Sequence, residues 1–334
     1  MTDLAAVAAA LVAPGKGVLA ADESIPTMSA RLTAAGVAAS QQTRRAYREM
    51  LVTTPALERG ISGVILSPET FGQRLSDGTP FPAALWQRGM LPGVKVDLGT
   101  RPLPGSPQET VTEGLDGLPT RLTGYAAQGA AFAKWRSVLR IGDRMPSAAA
   151  IRANAHALGQ YAAACQHAGL VPIVEPEVLM TGQHSLRRCQ VVSTLVLLEV
   201  AASMQDYDVA FEAAVLKPSM ALPGSDSGEL ASPVQVAIAT LATLGCVPLT
   251  LAGVAFLSGG QPPAQATANL AALQEQPHIW PLTFSFGRAL VDPALAAWHG
   301  SAVRAGQQAL ASRVAMNVAA LAGQYRPEPE LRAG

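Results

Sequence analysis

Eight short apolar runs punctuate the chain, at 18–21, 61–66, 93–97, 132–139, 171–177, 213–217, 253–258 and 282–288. As a set they read as continuous rather than alternating, the pattern of parallel strands buried on both faces. Every interval between them has room for a helix, and a 3.6-residue apolar period is clear at 151–168, 186–204, 234–244 and 264–273, the last opening behind Pro262 and Pro263. Shorter helices are expected around 120–128 and through 28–32, the latter with Thr27 as its cap. Eight strand-then-helix units in one chain predict a (β/α)8 TIM barrel, an α/β fold. An open doubly wound sheet would ask for a glycine-rich turn after the first strand, and Gly15-Lys16-Gly17 comes before it. The chain therefore reads as a single domain over 1–334: a barrel at about 13–291, a C-terminal helical extension from 292 to about 324, and a short polar tail, 325–334.

Two stretches imitate export or membrane signals. Residues 1–12 are largely apolar, but their only charged side chain is the acid Asp3, which suits an alanine-rich helix better than a secretory leader. No charge falls between Ala231 and Gln274, a run longer than the ~20 residues that span a bilayer. Gly245, Pro248, Gly253 and the Ser258-Gly259-Gly260 turn cut it up, so a buried helix and then a buried strand are expected, and no membrane association. With 49% hydrophobic and 14% charged residues the chain has the profile of a compact globular enzyme. Lys+Arg and Asp+Glu both number 24, so no net field draws nucleic acid or an anionic surface, and any anion site must be local. Cys165, Cys189 and Cys246 are odd in number and lack C-x-x-C spacing, which suits a reducing cytoplasm without structural disulfides or zinc.

Functional side chains of such a barrel gather where its strands end. Asp22 closes the first run; Lys95 and Asp97 lie two apart on the third, Glu175 and Glu177 do the same on the fifth, and Lys217 ends the sixth, where Pro218 stops the ladder. Lys134 and Arg136 also share a face, projecting from deeper because they sit near the start of the fourth run. The set is charge-balanced. Singly, each carboxylate is as readily a structural ion pair, and an amine at a core rim commonly snorkels to water. Burying all eight at one mouth without function would be costly. A free lysine, with a pKa near ~10.4, is neutral in roughly one molecule of 2,500 at pH 7, whereas burial or a second cation lowers that pKa by about 3 units or more. Lys217 is then suited to attack a carbonyl and form a Schiff base, with the carboxylates passing protons.

Anion sites come from other residues. Leu257-Ser258-Gly259-Gly260 ends the seventh run and Ser285-Phe286-Gly287-Arg288 the eighth, the usual place for a phosphate in these barrels. Arg31, behind Asp22-Glu23-Ser24, is either a second phosphate contact or a plain surface arginine. His156, His167, His184, His278 and His299 show no metal-ligand spacing, and neither G-x-S-x-G nor a P-loop occurs, so no metal or cofactor is expected.

These residues resemble the class I fructose-1,6-bisphosphate aldolases along almost the whole chain, from Ala13-Pro14-Gly15-Lys16-Gly17-Val18-Leu19-Ala20-Ala21-Asp22-Glu23-Ser24 to about Tyr325. Val171-Pro172-Ile173-Val174-Glu175-Pro176-Glu177, Leu216-Lys217-Pro218, Phe256-Leu257-Ser258-Gly259-Gly260-Gln261 and Leu282-Thr283-Phe284-Ser285-Phe286-Gly287-Arg288-Ala289-Leu290 carry the likeness in order. The resemblance implies Lys217 as the Schiff-base lysine, Glu175 as its acid/base, and Asp22, Lys134 and Glu177 as groups supporting proton transfer and bond cleavage at the middle carbons. It implies Ser258, Gly259, Ser285, Gly287 and Arg288 around the phosphate nearest the ketone, Arg31, Lys95 and Thr27 toward the far phosphate, and Arg136 as a further active-site arginine. The implied reaction is the reversible, metal-free cleavage of fructose 1,6-bisphosphate to dihydroxyacetone phosphate and glyceraldehyde 3-phosphate, in glycolysis and gluconeogenesis, by a cytoplasmic homotetramer. Three departures stand out. Ala30 and Leu98 occupy positions where the family often has lysine, which leaves open a Schiff-base aldolase for another phosphorylated ketose, or a non-catalytic sugar-phosphate-binding barrel. The family's longer tail ends in a tyrosine that assists proton exchange on the enamine; here the last tyrosine is Tyr325, so that step is expected to be slower or to use another group.

Overall fold

Ala20 N donates to the Phe286 carbonyl at 3.0 Å, joining the end of the last strand to the first and drawing a parallel sheet into a barrel. The computed structural model describes residues 3–326; most of the polar tail expected at 325–334 lies outside the described residues. The strands are β1 (Gly17–Ala21), β2 (Ile61–Leu66), β3 (Leu91–Lys95), β4 (Thr100–Leu103), β5 (Ser106–Thr112), β6 (Phe132–Leu139), β7 (Val171–Val178), β8 (Val215–Leu216), β9 (Gly253–Phe256) and β10 (Leu282–Phe284). Eight of them run β1-β2-β3-β6-β7-β8-β9-β10, and β4 and β5 form a separate hairpin. The helices are α1 (Leu4–Leu11), α2 (Ile25–Ala34), α3 (Gln41–Val52), α4 (Pro68–Phe71), α5 (Phe81–Gln87), α6 (Leu118–Ala127), α7 (Ala148–His167), α8 (Leu186–Asp206), α9 (Pro233–Leu244), α10 (Pro263–Glu275), α11 (Arg288–Trp298) and α12 (Val303–Leu321). This is the (β/α)8 barrel the apolar runs predict, with all eight strands in place.

Two apolar layers hold it. Inside the barrel Val18, Ala20, Ile65, Phe132, Ile173, Val215 and Ala255 cluster with Ala8, Leu11 and Val12, so α1 plugs the base. Phe132 fills the width there: a Cβ on Gly93 would come within 2.1 Å of its ring, so only glycine fits opposite. The second layer, including Leu19, Val64, Trp135, Val174 and Phe256, packs the outer faces of the strands against the helices. Because alternate residues share a face, each inner row climbs from apolar to charged: Phe132, Lys134, Arg136; Ile173, Glu175, Glu177; Val215, Lys217. Register sets the heights, with Lys134 opposite Ile173 and Arg136 opposite Glu175, so Lys134 is rooted one layer below Glu175 and reaches up.

Some local expectations need correction. The helix after β1 is capped by Ser24, whose Oγ accepts from Thr27 N at 3.4 Å; Thr27 lies inside the first turn, because Ile25-Pro26 can already adopt helical geometry where no N–H is needed. The hairpin β4–β5 was not expected, although Pro104-Gly105 is a turn dipeptide and Gly105 takes φ +83°. The C-terminal extension is two helices, the first beginning at Arg288, broken where His299 and Gly300 turn left-handed. Pro293 lies inside that first helix, and the carbonyl it leaves unpaired, Ala289 O, accepts from Arg313 Nε of α12 at 3.4 Å. The uncharged stretch 231–274 forms α9, β9 and most of α10, and no helix among the described residues is long and apolar enough to cross a membrane.

Candidate active site

A cavity of about 320 Å³ opens at the C-terminal ends of the strands, and all eight inward ionisable groups, Asp22, Lys95, Asp97, Lys134, Arg136, Glu175, Glu177 and Lys217, line it. At its floor Lys134 Nζ lies 2.7 Å from Asp22 Oδ2 and 2.8 Å from Glu175 Oε2. Lys217 Nζ stands 3.4 Å from the other oxygen of Glu175. One carboxylate thus bridges two buried amines.

Their surroundings treat the two amines oppositely. Burial is the largest influence on Lys217 and pushes its pKa below the ordinary lysine value, the Lys134 charge pushing the same way while Glu175 opposes both. For Lys134 burial also pulls down, but Asp22 and Glu175 together outweigh it, and that amine holds its proton more firmly than a free lysine. Burial would raise Asp22; Lys134 and then Lys217 more than offset it and bring the carboxyl down to about 2. Glu175 behaves likewise, held below its usual range by Lys134 and Lys217 against burial. The result is a fixed cation, two ionised acids, and one amine prepared to lose its proton, the arrangement a nucleophilic lysine needs.

Around this floor the upper groups pair off. Arg136 Nε meets Glu177 Oε2 at 2.5 Å, and Lys95 donates to the Asp97 carboxylate and, at 2.9 Å, to the Asp97 carbonyl. Asp97 Oδ2 also accepts from Arg136 N at 3.2 Å, tying β3 to β6.

Ser258, Gly259, Ser285, Gly287 and Arg288 come together on one wall. Ser285 Oγ is buried there without a hydrogen-bond partner among the described residues, an orphan a phosphate oxygen would satisfy. Arg288 begins α11, so the helix N-terminus and an exposed guanidinium face the same space. Gly260 takes φ +91°, and a Cβ there would stand 3.2 Å from Arg288 Nη2, so glycine leaves the guanidinium its place.

Ser24 and Thr27, at the start of α2 behind β1, line the cavity as well, with Lys95 from β3. Arg31 does not line the cavity; it pairs with Glu23 and, at 2.5 Å, with Asp292 Oδ1. Sequence reasoning missed Glu23, Ser24, Gly99, Thr100 and Val138 as lining residues. Ser24 was findable from its cap spacing to Thr27, whereas Gly99 and Thr100 arrive with the unexpected hairpin.

The family model described as Glycolytic, Fructose-bisphosphate aldolase class-I, matches residues 3–334. The chain belongs to the class I fructose-bisphosphate aldolase family. Its relatives include a probable fructose-bisphosphate aldolase class 1 from Xanthomonas campestris pv. campestris, 45% identical over 97% of this chain and 98% of that one. Fructose-bisphosphate aldolase B of Gallus gallus is 46% identical over 96% of this chain and 90% of its own. Among solved structures, fructose-bisphosphate aldolase from Plasmodium falciparum, crystallised with TRAP and a small-molecule inhibitor, superposes with a TM-score of 0.95 at 40% identity, covering 97% of this chain and 95% of that one. As an aldolase of this family the protein is a lyase, and the charged barrel mouth is where such chemistry fits.

Proposed function

We propose that Lys217 cleaves fructose 1,6-bisphosphate through a Schiff base, giving dihydroxyacetone phosphate and glyceraldehyde 3-phosphate in glycolysis and gluconeogenesis. Glu175 takes the proton that Lys217 sheds on becoming neutral, the amine adds to the ketone, and Glu175 returns that proton to the carbinolamine hydroxyl, which leaves as water. The iminium draws electrons as the bond between the third and fourth carbons breaks, a carboxylate takes the hydroxyl proton of the departing aldehyde, and the enamine left on Lys217 is protonated and hydrolysed. Asp22 and Glu177 serve proton transfer in this scheme, while Lys134 stays protonated and disfavours a second positive charge on Lys217. One observation carries the reading: Lys217 and Lys134 share Glu175, at 3.4 Å and 2.8 Å, so burial and a fixed cation act on the amine together.

The phosphate nearest the ketone is assigned to Ser258, Gly259, Ser285, Gly287 and Arg288, supported by the unpaired Ser285 hydroxyl. Thr27, Lys95 and Arg31 are assigned to the far phosphate, and Arg136 to the substrate between. A homo-oligomeric, cytoplasmic enzyme is part of the same proposal. Its support is an exposed apolar face of Val191, Leu195 and Leu198 on α8 with Val234 and Ile238 on α9, and three free cysteines. Borohydride added with fructose 1,6-bisphosphate tests the mechanism: peptide mass spectrometry is expected to find the reduced adduct on Lys217. An adduct on another lysine, or none, overturns it.

A further inference from the structure

We propose that Asp292 sets how firmly the enzyme holds a second phosphate, by detaining Arg31 at the rim; this rests on the bisphosphate reading above. The two walls of the cavity are not equivalent. On one, Arg288 is exposed and belongs to no ion pair among the described residues. On the other, both candidate cations are engaged: Lys95 by the Asp97 carboxylate, Arg31 by Glu23 and Asp292.

Arg31 is well placed to do otherwise. It lies four residues after Thr27 on α2, hence on the same helix face, and Thr27 lines the cavity. What holds it back is anchored from both sides. Glu23 is steadied by Arg48 Nη2 at 3.2 Å, and Asp292 follows Val291, whose carbonyl accepts the Tyr47 hydroxyl at 3.1 Å. Yet the outer half of the clamp is weak by nature, because the Asp292 side chain is 50% exposed and water screens such a pair. A phosphomonoester dianion at Ser24 and Thr27 competes with Asp292 for the guanidinium, and the carboxylate lowers the enzyme's affinity for that dianion; a monophosphate at Arg288, one turn before Asp292 on α11, feels only its screened charge. Asp292 is in this sense a positioning residue for specificity.

The test compares a ketose 1,6-bisphosphate with the matching ketose 1-phosphate on the wild type, Asp292→Asn and the double variant Arg31→Met/Asp292→Asn. Asp292→Asn is expected to lower KM for the bisphosphate by about three- to fivefold, the upper end for one exposed ion pair, and to leave the monophosphate KM within about twofold. The double variant is expected to lose that gain. An unchanged ratio in Asp292→Asn overturns the proposal, and so does a gain that persists without Arg31, which would mean that removing the Asp292 charge acts through space alone. The same ratio of Kd values by calorimetry decides the point without turnover, so a failure to cleave either sugar would count against the Schiff-base reading and not against the role of Asp292.

Discussion

Lys217 Nζ stands 3.4 Å from Glu175 Oε1, while Lys134 Nζ lies 2.8 Å from the other oxygen of the same carboxylate and 2.7 Å from Asp22 Oδ2. The added carboxylate, Asp22, determines which amine keeps its proton. Burial alone would depress both, and the difference between them lies in how many carboxylates each one meets.

That asymmetry fixes a pH dependence. Neutral Lys217 is the reactive form and its pKa is lowered, so borohydride trapping at saturating substrate should rise with pH to a midpoint below that of free lysine. In Lys134→Met, Asp22 and Glu175 are left facing Lys217 alone, and both favour its charged form. The midpoint is expected to move up by more than a unit, with trapping at neutral pH falling at least tenfold. An unmoved midpoint would remove Lys134 from its role as the second cation.

Glu175→Gln separates proton transfer from binding. The carboxylate touches both amines but lies away from the phosphate wall, so kcat is expected to fall by about 10² to 10⁴ while KM for the monophosphate changes little. Steady-state kinetics with circular dichroism to confirm folding checks it, and an equal loss spread over KM would point to a binding role instead.

Asp22 gives a stability signature. Its carboxyl drops from an ordinary 3.8 to about 2 in the folded state, so its contribution, about 2 kcal/mol, is complete above the unfolded value and disappears as pH falls through the folded one. Asp22→Asn is expected to cost that much at pH 5 and progressively less toward pH 2, read from urea midpoints. A gap constant with pH would place the Asn penalty in packing and not in ionisation.

Much of this was legible in the sequence, for a physical reason. A strand buried on both faces carries charge mainly toward its end, so Asp22, Lys95, Asp97, Glu175, Glu177 and Lys217 mark strand ends and cavity at once, with Lys134 the deeper exception. What stayed hidden depended on distant partners. Nothing local says that Arg31 is taken by Asp292, which lies 261 positions on, or that Lys134 will reach up past Ile173 to Glu175. The hairpin β4–β5 was obscured because β4 is short and largely exposed and β5 is built mainly of polar residues, leaving no apolar run to mark them. Tyr325 shows the same limit, since it packs into the outer core and does not line the cavity, and no pattern near it says so.

Gly260 offers a test of the phosphate wall that removes no ionisable group. Alanine at φ +91° is strained, by roughly 1–2 kcal/mol, and its Cβ would sit 3.2 Å from Arg288 Nη2 and 3.4 Å from Met180 Sδ. The side chain most able to give way is Arg288, which is exposed and unpaired among the described residues. Gly260→Ala should therefore raise KM for mono- and bisphosphate ketoses alike, by about tenfold, and weaken inhibition by inorganic phosphate to match, while kcat at saturation falls far less. If KM rises for the bisphosphate alone, Arg288 serves the far phosphate and the two walls have been assigned the wrong way round.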